Sequence, residues 1–186
     1  MKLSKSIVIS FVLLVLIAAL YRVMPGRPWG FAPQISMALF AGSVVKDRKY
    51  AFALPLISMF VSDLIYQLLY IAGAGVIPGF YEGQITNYIL FTLLTVVGFF
   101  INQKSMLSIL AGSIAGPVFY FLTSNFLVWM AGSGLGRPKT KEGLMMCYND
   151  ALPFFKMSVV ATLFFSAILF GSYYLLGKRI TESKTA

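Results

Sequence analysis

Tyr50 to Ile71 reads YAFALPLISMFVSDLIYQLLYI. It is 22 residues long with one charge, Asp63. A helix of about 20 mostly apolar residues spans the ~30 Å hydrocarbon core of a bilayer, so this run predicts a transmembrane helix. Five more apolar runs flank it, at Ser6–Met24, Pro33–Val45, Ile85–Ile101, Met106–Met130 and Phe154–Leu176. The run at Pro33–Val45 is too short to cross alone. It either starts nearer Trp29 or is met by a loop that dips into the membrane. Pro55 and Pro117 are expected to kink the third and fifth helices. The expected fold is all-α and integral to the membrane, a single domain over residues 1–186 with about six transmembrane helices. The longest connection is expected to be a loop from Ala131 to Leu152.

Composition agrees. The chain is 59% hydrophobic and 11% charged, against roughly 25% charged in a soluble domain. Its net charge of +9 does not point to nucleic acid, because the basic residues fall between apolar runs rather than in one stripe. In such positions they anchor helix ends at anionic headgroups. Lys2 and Lys5 before an apolar run also resemble a secretory signal, but Arg22 to Arg27 is no small-residue cleavage site. With the N terminus inside, nine basic residues fall on the inner side and six on the outer. Three inner clusters hug helix ends, whereas three outer charges share one long loop. This favours both termini in the cytoplasm.

Several chemistries are disfavoured. There is no histidine, which removes the commonest general base and metal ligand. Gly171–Arg179, GSYYLLGKR, only superficially matches a phosphate-binding loop, with one residue too many between the glycines and Arg179 in place of Ser or Thr. The chain is therefore read as not an enzyme, with no evident cofactor.

A carboxylate at the bilayer centre costs roughly 2.5–3.5 kcal/mol, so Asp63 should find a partner or sit in a wet cavity. In the orientation above, Asp63 and Gln67, Asn87, Asn125 and Trp129, and Tyr148, Asn149, Asp150 and Lys156 all fall toward the outer leaflet. Apolar walls with a few convergent polar groups describe a small-molecule site. An aromatic belt at the headgroups explains Trp129 and the tyrosines, but not Asp63, Asn87 and Asn125. The candidate ligand-binding residues are Asp63, Asn87, Asn125, Trp129, Tyr148, Asn149 and Phe155. Asp63, Asn125 and Trp129 are expected to line one outward cavity, with Lys156 a candidate partner for Asp63 and the 131–152 loop its lid. No metal site is expected. Cys147, in that loop, is an ordinary thiol or a contact to a soft metal inside a ligand. Ser108, Gly112 and Gly116, spaced by four, suit close helix packing, and Ser6 and Ser10 are a weaker version.

Four strings carry a resemblance: RPWGFAPQISMALFAGSVVKDRKYAFALPLISMFVSDLI, TSNFLVWM, GLMMCYNDALPFFK and ILFG, together spanning about Arg27 to Gly171. They resemble a family of small bacterial membrane proteins of unassigned function. That family is similar to the substrate-binding S components of energy-coupling-factor transporters. The resemblance implies a six-helix bundle in the bacterial cytoplasmic membrane, a vitamin-like micronutrient bound from the outer side, and coupling and ATPase subunits as partners. S components carry a stronger small-residue motif on helix 1 than Ser6 and Ser10. The expected function is a substrate-binding membrane subunit or small transporter. The alternative is an accessory subunit of a membrane complex without a ligand of its own.

Overall fold

The computed structural model describes residues 5–132 and 136–185, with side-chain surroundings for 9–132 and 136–175. Six helices are found among the described residues: α1 Lys5–Val23, α2 Gln34–Val44, α3 Arg48–Ile71, α4 Gln84–Gly98, α5 Met106–Ala131 and α6 Lys141–Thr185. Helices α3, α5 and α6 are long and apolar enough to cross a membrane. The described part of α1 (Ile9–Val23), α2 and α4 are shorter apolar helices. Gly134, and the side chains of Ser6, Lys178 and Arg179 on which part of the sequence reading rested, lie outside the described residues.

The short helix α2 is the hub of the bundle and packs on α3, α4, α5 and α6. Eight of its eleven residues are buried, including Met37, Ala38 and Leu39. A helix that is apolar all round belongs inside a bundle rather than at its surface. Helices α2 and α4 cross with their backbones in close approach. A Cβ on Gly42 would meet the Thr95 carbonyl oxygen, and one on Gly98 would meet the Leu39 carbonyl oxygen. Small residues there let the two backbones touch. The α5 glycines pack within the same bundle, Gly112 against Ile101 and Gly116 against Leu39 and Ile35. Pro55 and Pro117 are both buried within continuous helices.

The outer surface is apolar. Ile57, Phe60 and Leu64 on α3, Leu107 and Ile114 on α5, and Val160, Phe164 and Ile168 on α6 are all exposed. Polar side chains are found inside instead. Gln34, Ser58, Ser62, Asp63, Thr95, Ser113 and Thr162 are buried. Thr95 donates to the Phe91 carbonyl (3.0 Å) and Thr162 to the Ser158 carbonyl (2.7 Å) along their own helices, while Ser58 reaches across to the Val15 carbonyl of α1 (3.5 Å).

One expectation is corrected. The segment expected to be a loop from Ala131 to Leu152 is mostly helix. Helix α5 ends at Ala131, α6 begins at Lys141, and Pro153 lies inside α6. The apolar run starts at Phe154 only because residues 141–150, KEGLMMCYND, are of mixed polarity. The helix outruns its apolar part. Proline lacks an N–H, so Pro153 leaves the Asn149 carbonyl without its helical donor and is tolerated there. A lid made of that whole segment is therefore excluded.

Candidate functional site

Two opposite charges meet inside the bundle. Arg22 lies in the last turn of α1 and Asp63 two-thirds along α3. The guanidinium donates to Asp63 Oδ1 and to the Ser62 hydroxyl. The other carboxylate oxygen accepts from the Gln84 amide and the Tyr88 hydroxyl, at 2.7 Å each. Asp63 is 1% exposed and both its oxygens are filled. The expected partner, Lys156, is exposed on α6 instead. A buried charge is tolerable when it is paired and hydrogen-bonded, and Arg22 supplies that.

The network also fixes the chain around it. Tyr66 donates to the Arg22 carbonyl (2.6 Å), and Arg27 Nε donates to the same oxygen (3.1 Å). Arg27 reaches on to the Phe31 carbonyl (2.7 Å), so one side chain ties both ends of the α1–α2 connection. Gln67 accepts from the backbone of Gly79 (3.0 Å) and Phe80 (3.2 Å), folding the α3–α4 connection back onto α3. A side chain at Gly79 would collide with the Asp63 carbonyl.

Beside this network lies a cleft in two compartments. The first has a volume of about 150 Å³ and is lined by Arg22, Gly30, Gln34, Asn87, Tyr120 and Ser158, with Ile35, Met59 and Phe91 as its apolar floor. The second, about 200 Å³, is lined by Tyr120, Phe121, Asn125, Phe154, Phe155 and Ser158. Tyr120 and Ser158 border both, so the compartments adjoin. The first is polar. Asn87 donates to the Tyr81 hydroxyl (2.6 Å) and accepts from the Tyr120 hydroxyl (2.7 Å). Gln34 is 3% exposed, its amide nitrogen reaches the Ala18 carbonyl (3.4 Å), and its Oε1 has no hydrogen-bond partner. The second is aromatic, with Phe121 and Phe155 stacked at 4.5 Å and 29°.

The α1–α2 connection roofs the polar compartment through Gly30 and Ala32. Gly30 has φ 82°, a conformation that favours glycine, and a Cβ there would run into the Phe154 carbonyl. Ser158 donates to the Gly30 carbonyl (3.2 Å), which clips the roof to α6. Phe31 anchors it further in an aromatic group with Tyr21, Phe164 and Phe165.

The family assignment is decided at the level of the whole chain, since one family model matches residues 2–184. The chain belongs to the family described as "Family of unknown function (DUF6580)". No curated protein and no solved structure matches it. The family description assigns no activity, and nothing in it connects this chain to energy-coupling-factor transporters.

The candidate residues fall into three groups in this DUF6580 protein. Asn87 lines the polar compartment, and Asn125 and Phe155 line the aromatic one. Asp63 lines neither. It stands behind Arg22 and positions it. Trp129, Tyr148 and Asn149 line neither compartment, although the Tyr148 ring packs behind Phe121 at 5.4 Å. Trp129 donates to the Pro138 carbonyl (3.0 Å) and packs on Phe126, Tyr148 donates to the Leu122 carbonyl (2.9 Å), and Asn149 is exposed. Asp63, Asn125 and Trp129 therefore do not share one cavity. Cys147 is buried within α6 rather than held in a loop. Among the described residues no cluster of three His, Cys, Asp or Glu could hold a metal ion.

The sequence reading passed over Arg22, Gln34, Tyr120 and Ser158. Arg22 carried a usable signal. It and Asp63 are opposite charges inside two different apolar runs, and intramembrane charges pair. Gln34 carried a weaker one, as the polar residue opening the short run from Pro33. Tyr120 and Ser158 carried none, since one tyrosine or serine in an apolar helix is unremarkable.

Proposed function

We propose that this DUF6580 protein is a multi-pass membrane subunit or small transporter that binds a vitamin-like micronutrient from the outer side of the bacterial cytoplasmic membrane. The observation that carries the reading is the adjoining pair of mostly apolar compartments, one with Arg22, Gln34 and Asn87 in its wall and one walled by aromatic rings. Ligand sites of this kind combine apolar walls with a few placed polar groups. Tyr120 and Ser158 stand at their junction, so one amphipathic molecule spans both. Its polar end meets Arg22, Gln34 and Asn87, and its flat apolar part meets Phe121 and Phe155.

The exposed apolar faces of α3, α5 and α6 support lipid as the surrounding solvent. In the six-span reading, α1, α2 and α4 complete the bundle with both termini cytoplasmic. Coupling and ATPase subunits are the partners that the resemblance to S components implies. An accessory-subunit reading draws on the Asp63 network, whose members hold the bundle together without any ligand.

Mass spectrometry of small molecules released from the purified protein tests the proposal. A stoichiometric amphipathic compound is expected, and its absence from protein purified out of its native membrane counts against ligand binding. Orientation is tested by impermeant labelling of cysteines placed at Asp47 and Lys139 in intact cells. Labelling at 139 and not at 47 is expected.

A further inference from the structure

We propose that the polar compartment takes an uncharged ring amide, a lactam or ureide, and that Gln34 sets this specificity by accepting the ligand's N–H. The inference rests on the ligand-binding reading above and narrows its substrate class.

Charge comes first. Among the described residues lining the two compartments, the one formal charge is that of Arg22, and Asp63 already balances it. The pair is neutral as a unit. A carboxylate ligand would have to compete with Asp63 for the same guanidinium, and a cation would face it. Either would bring an unbalanced charge into a site set among apolar helices, which is unfavourable without a partner. A neutral ligand meets neither difficulty.

Donors and acceptors come next. Asn87 is already engaged on both sides by Tyr81 and Tyr120. Gln34 is not. Its amide orientation follows from the Ala18 carbonyl, which accepts only from the NH2 group, and this leaves Oε1 as a buried acceptor without a donor. Buried polar atoms are nearly always paired. Four among the described residues are not, Gln34 Oε1, Gln103 Oε1, Arg137 Nε and Ser166 Oγ, and of these Gln34 alone belongs to the lining of the cleft, where a ligand could supply the donor. Arg22 supplies the opposite need. Its Nη1 serves Ser62 and Asp63, and a guanidinium has five N–H donors in all. The lining of the compartment therefore includes a residue with an unpaired acceptor, Gln34, and one with further donor capacity, Arg22. A ring amide offers the complement, an N–H beside a C=O.

Size agrees. A dry cavity of about 150 Å³ holds one benzene-sized ring, and the polar compartment has about that volume. The rest of the ligand would continue past Tyr120 onto Phe121 and Phe155.

The test uses the full chain purified in detergent, with four single-ring probes of one size: 2-pyridone, benzoate, benzamidine and toluene. Affinities are read by titration calorimetry. The proposal expects 2-pyridone to bind at least about tenfold more tightly than benzoate or benzamidine. It expects Gln34→Leu to weaken 2-pyridone about tenfold or more, the usual effect of losing one buried hydrogen bond, while toluene binds as before. Tighter binding of benzoate or benzamidine overturns the neutral-amide class and leaves the ligand-binding reading standing. A 2-pyridone affinity unchanged in Gln34→Leu overturns the role of Gln34. If that variant fails to fold, the ranking of the four probes on the native chain still decides the class. If no probe binds, the molecule released from the purified protein decides: a ring amide supports the proposal, and a charged head overturns it. No probe and no released molecule overturns both this inference and the reading beneath it.

Discussion

Asp63 and Gln34 are both buried polar side chains in an apolar bundle, and they sit on opposite sides of Arg22's role. Around Asp63 every polar atom is answered from within the chain, by Arg22, Gln84 and Tyr88. At Gln34 one oxygen has no partner. A buried group that is fully paired needs nothing more and does structural work. A buried group with an open valence points to something the chain itself does not supply. Burial does not distinguish the two, but pairing does.

The largest effect should come from breaking the paired side. Asp63→Leu leaves the Arg22 guanidinium, 19% exposed, without its counter-charge. Removing one partner of a buried pair typically destabilises by about 3–5 kcal/mol. Unfolding in detergent, followed by circular dichroism, should show a loss of that order. The double variant Arg22→Met with Asp63→Leu should recover much of it. Equal losses in the single and double variants would mean the pair is not what stabilises this region.

A smaller effect is expected at the α2–α4 crossing. Gly98→Ala pushes a Cβ against the Leu39 carbonyl. Backbone oxygen cannot rotate away as a side chain can, so overpacking of about 1–3 kcal/mol follows. Gly112→Ala meets only the Ile101 side chain and should be milder. A reversed order in thermal melting would contradict α2 as the hub.

The smallest effect belongs to the surface. Arg137 pairs with Asp150 at the start of α6, where the two are 30% and 46% exposed. Exposed pairs contribute about 0–1 kcal/mol, so Arg137→Met should move stability little, and less still at high salt.

These contrasts also mark what the sequence made legible. Helix bounds for α1 to α5 fall within three residues of those expected, because apolar runs in a membrane-type chain are direct readouts of element length. Neither end of α6 did, at Lys141 and Thr185 against the expected Phe154 and Leu176, because a helix that continues past its apolar part loses the signal that defines it. The close-packing pair Gly42 and Gly98 was hidden, since it forms across two helices and no spacing within one helix reveals it. The site was half legible. Asn87, Asn125 and Phe155 stood out as polar or aromatic residues at one depth, and they do border the cleft. Trp129 and Asn149 shared that depth but face elsewhere, because depth along a helix says nothing of the direction around it. Asp63 was legible as important and misleading as to role, since its partner sits on another helix.

The central claim is that the cleft holds a ligand while the Asp63 network holds the fold. The measurement that bears on it most directly is the amount of small molecule extracted per mole of purified protein, compared between the native chain and Phe155→Ala. Phe155 lines the aromatic compartment and takes no part in the Asp63 network. The account predicts at least about tenfold less ligand from the variant, the scale set by losing one well-placed aromatic contact, with its melting temperature measured after ligand removal close to that of the equally stripped native chain. Equal amounts from both proteins, or none from the native chain, would contradict it.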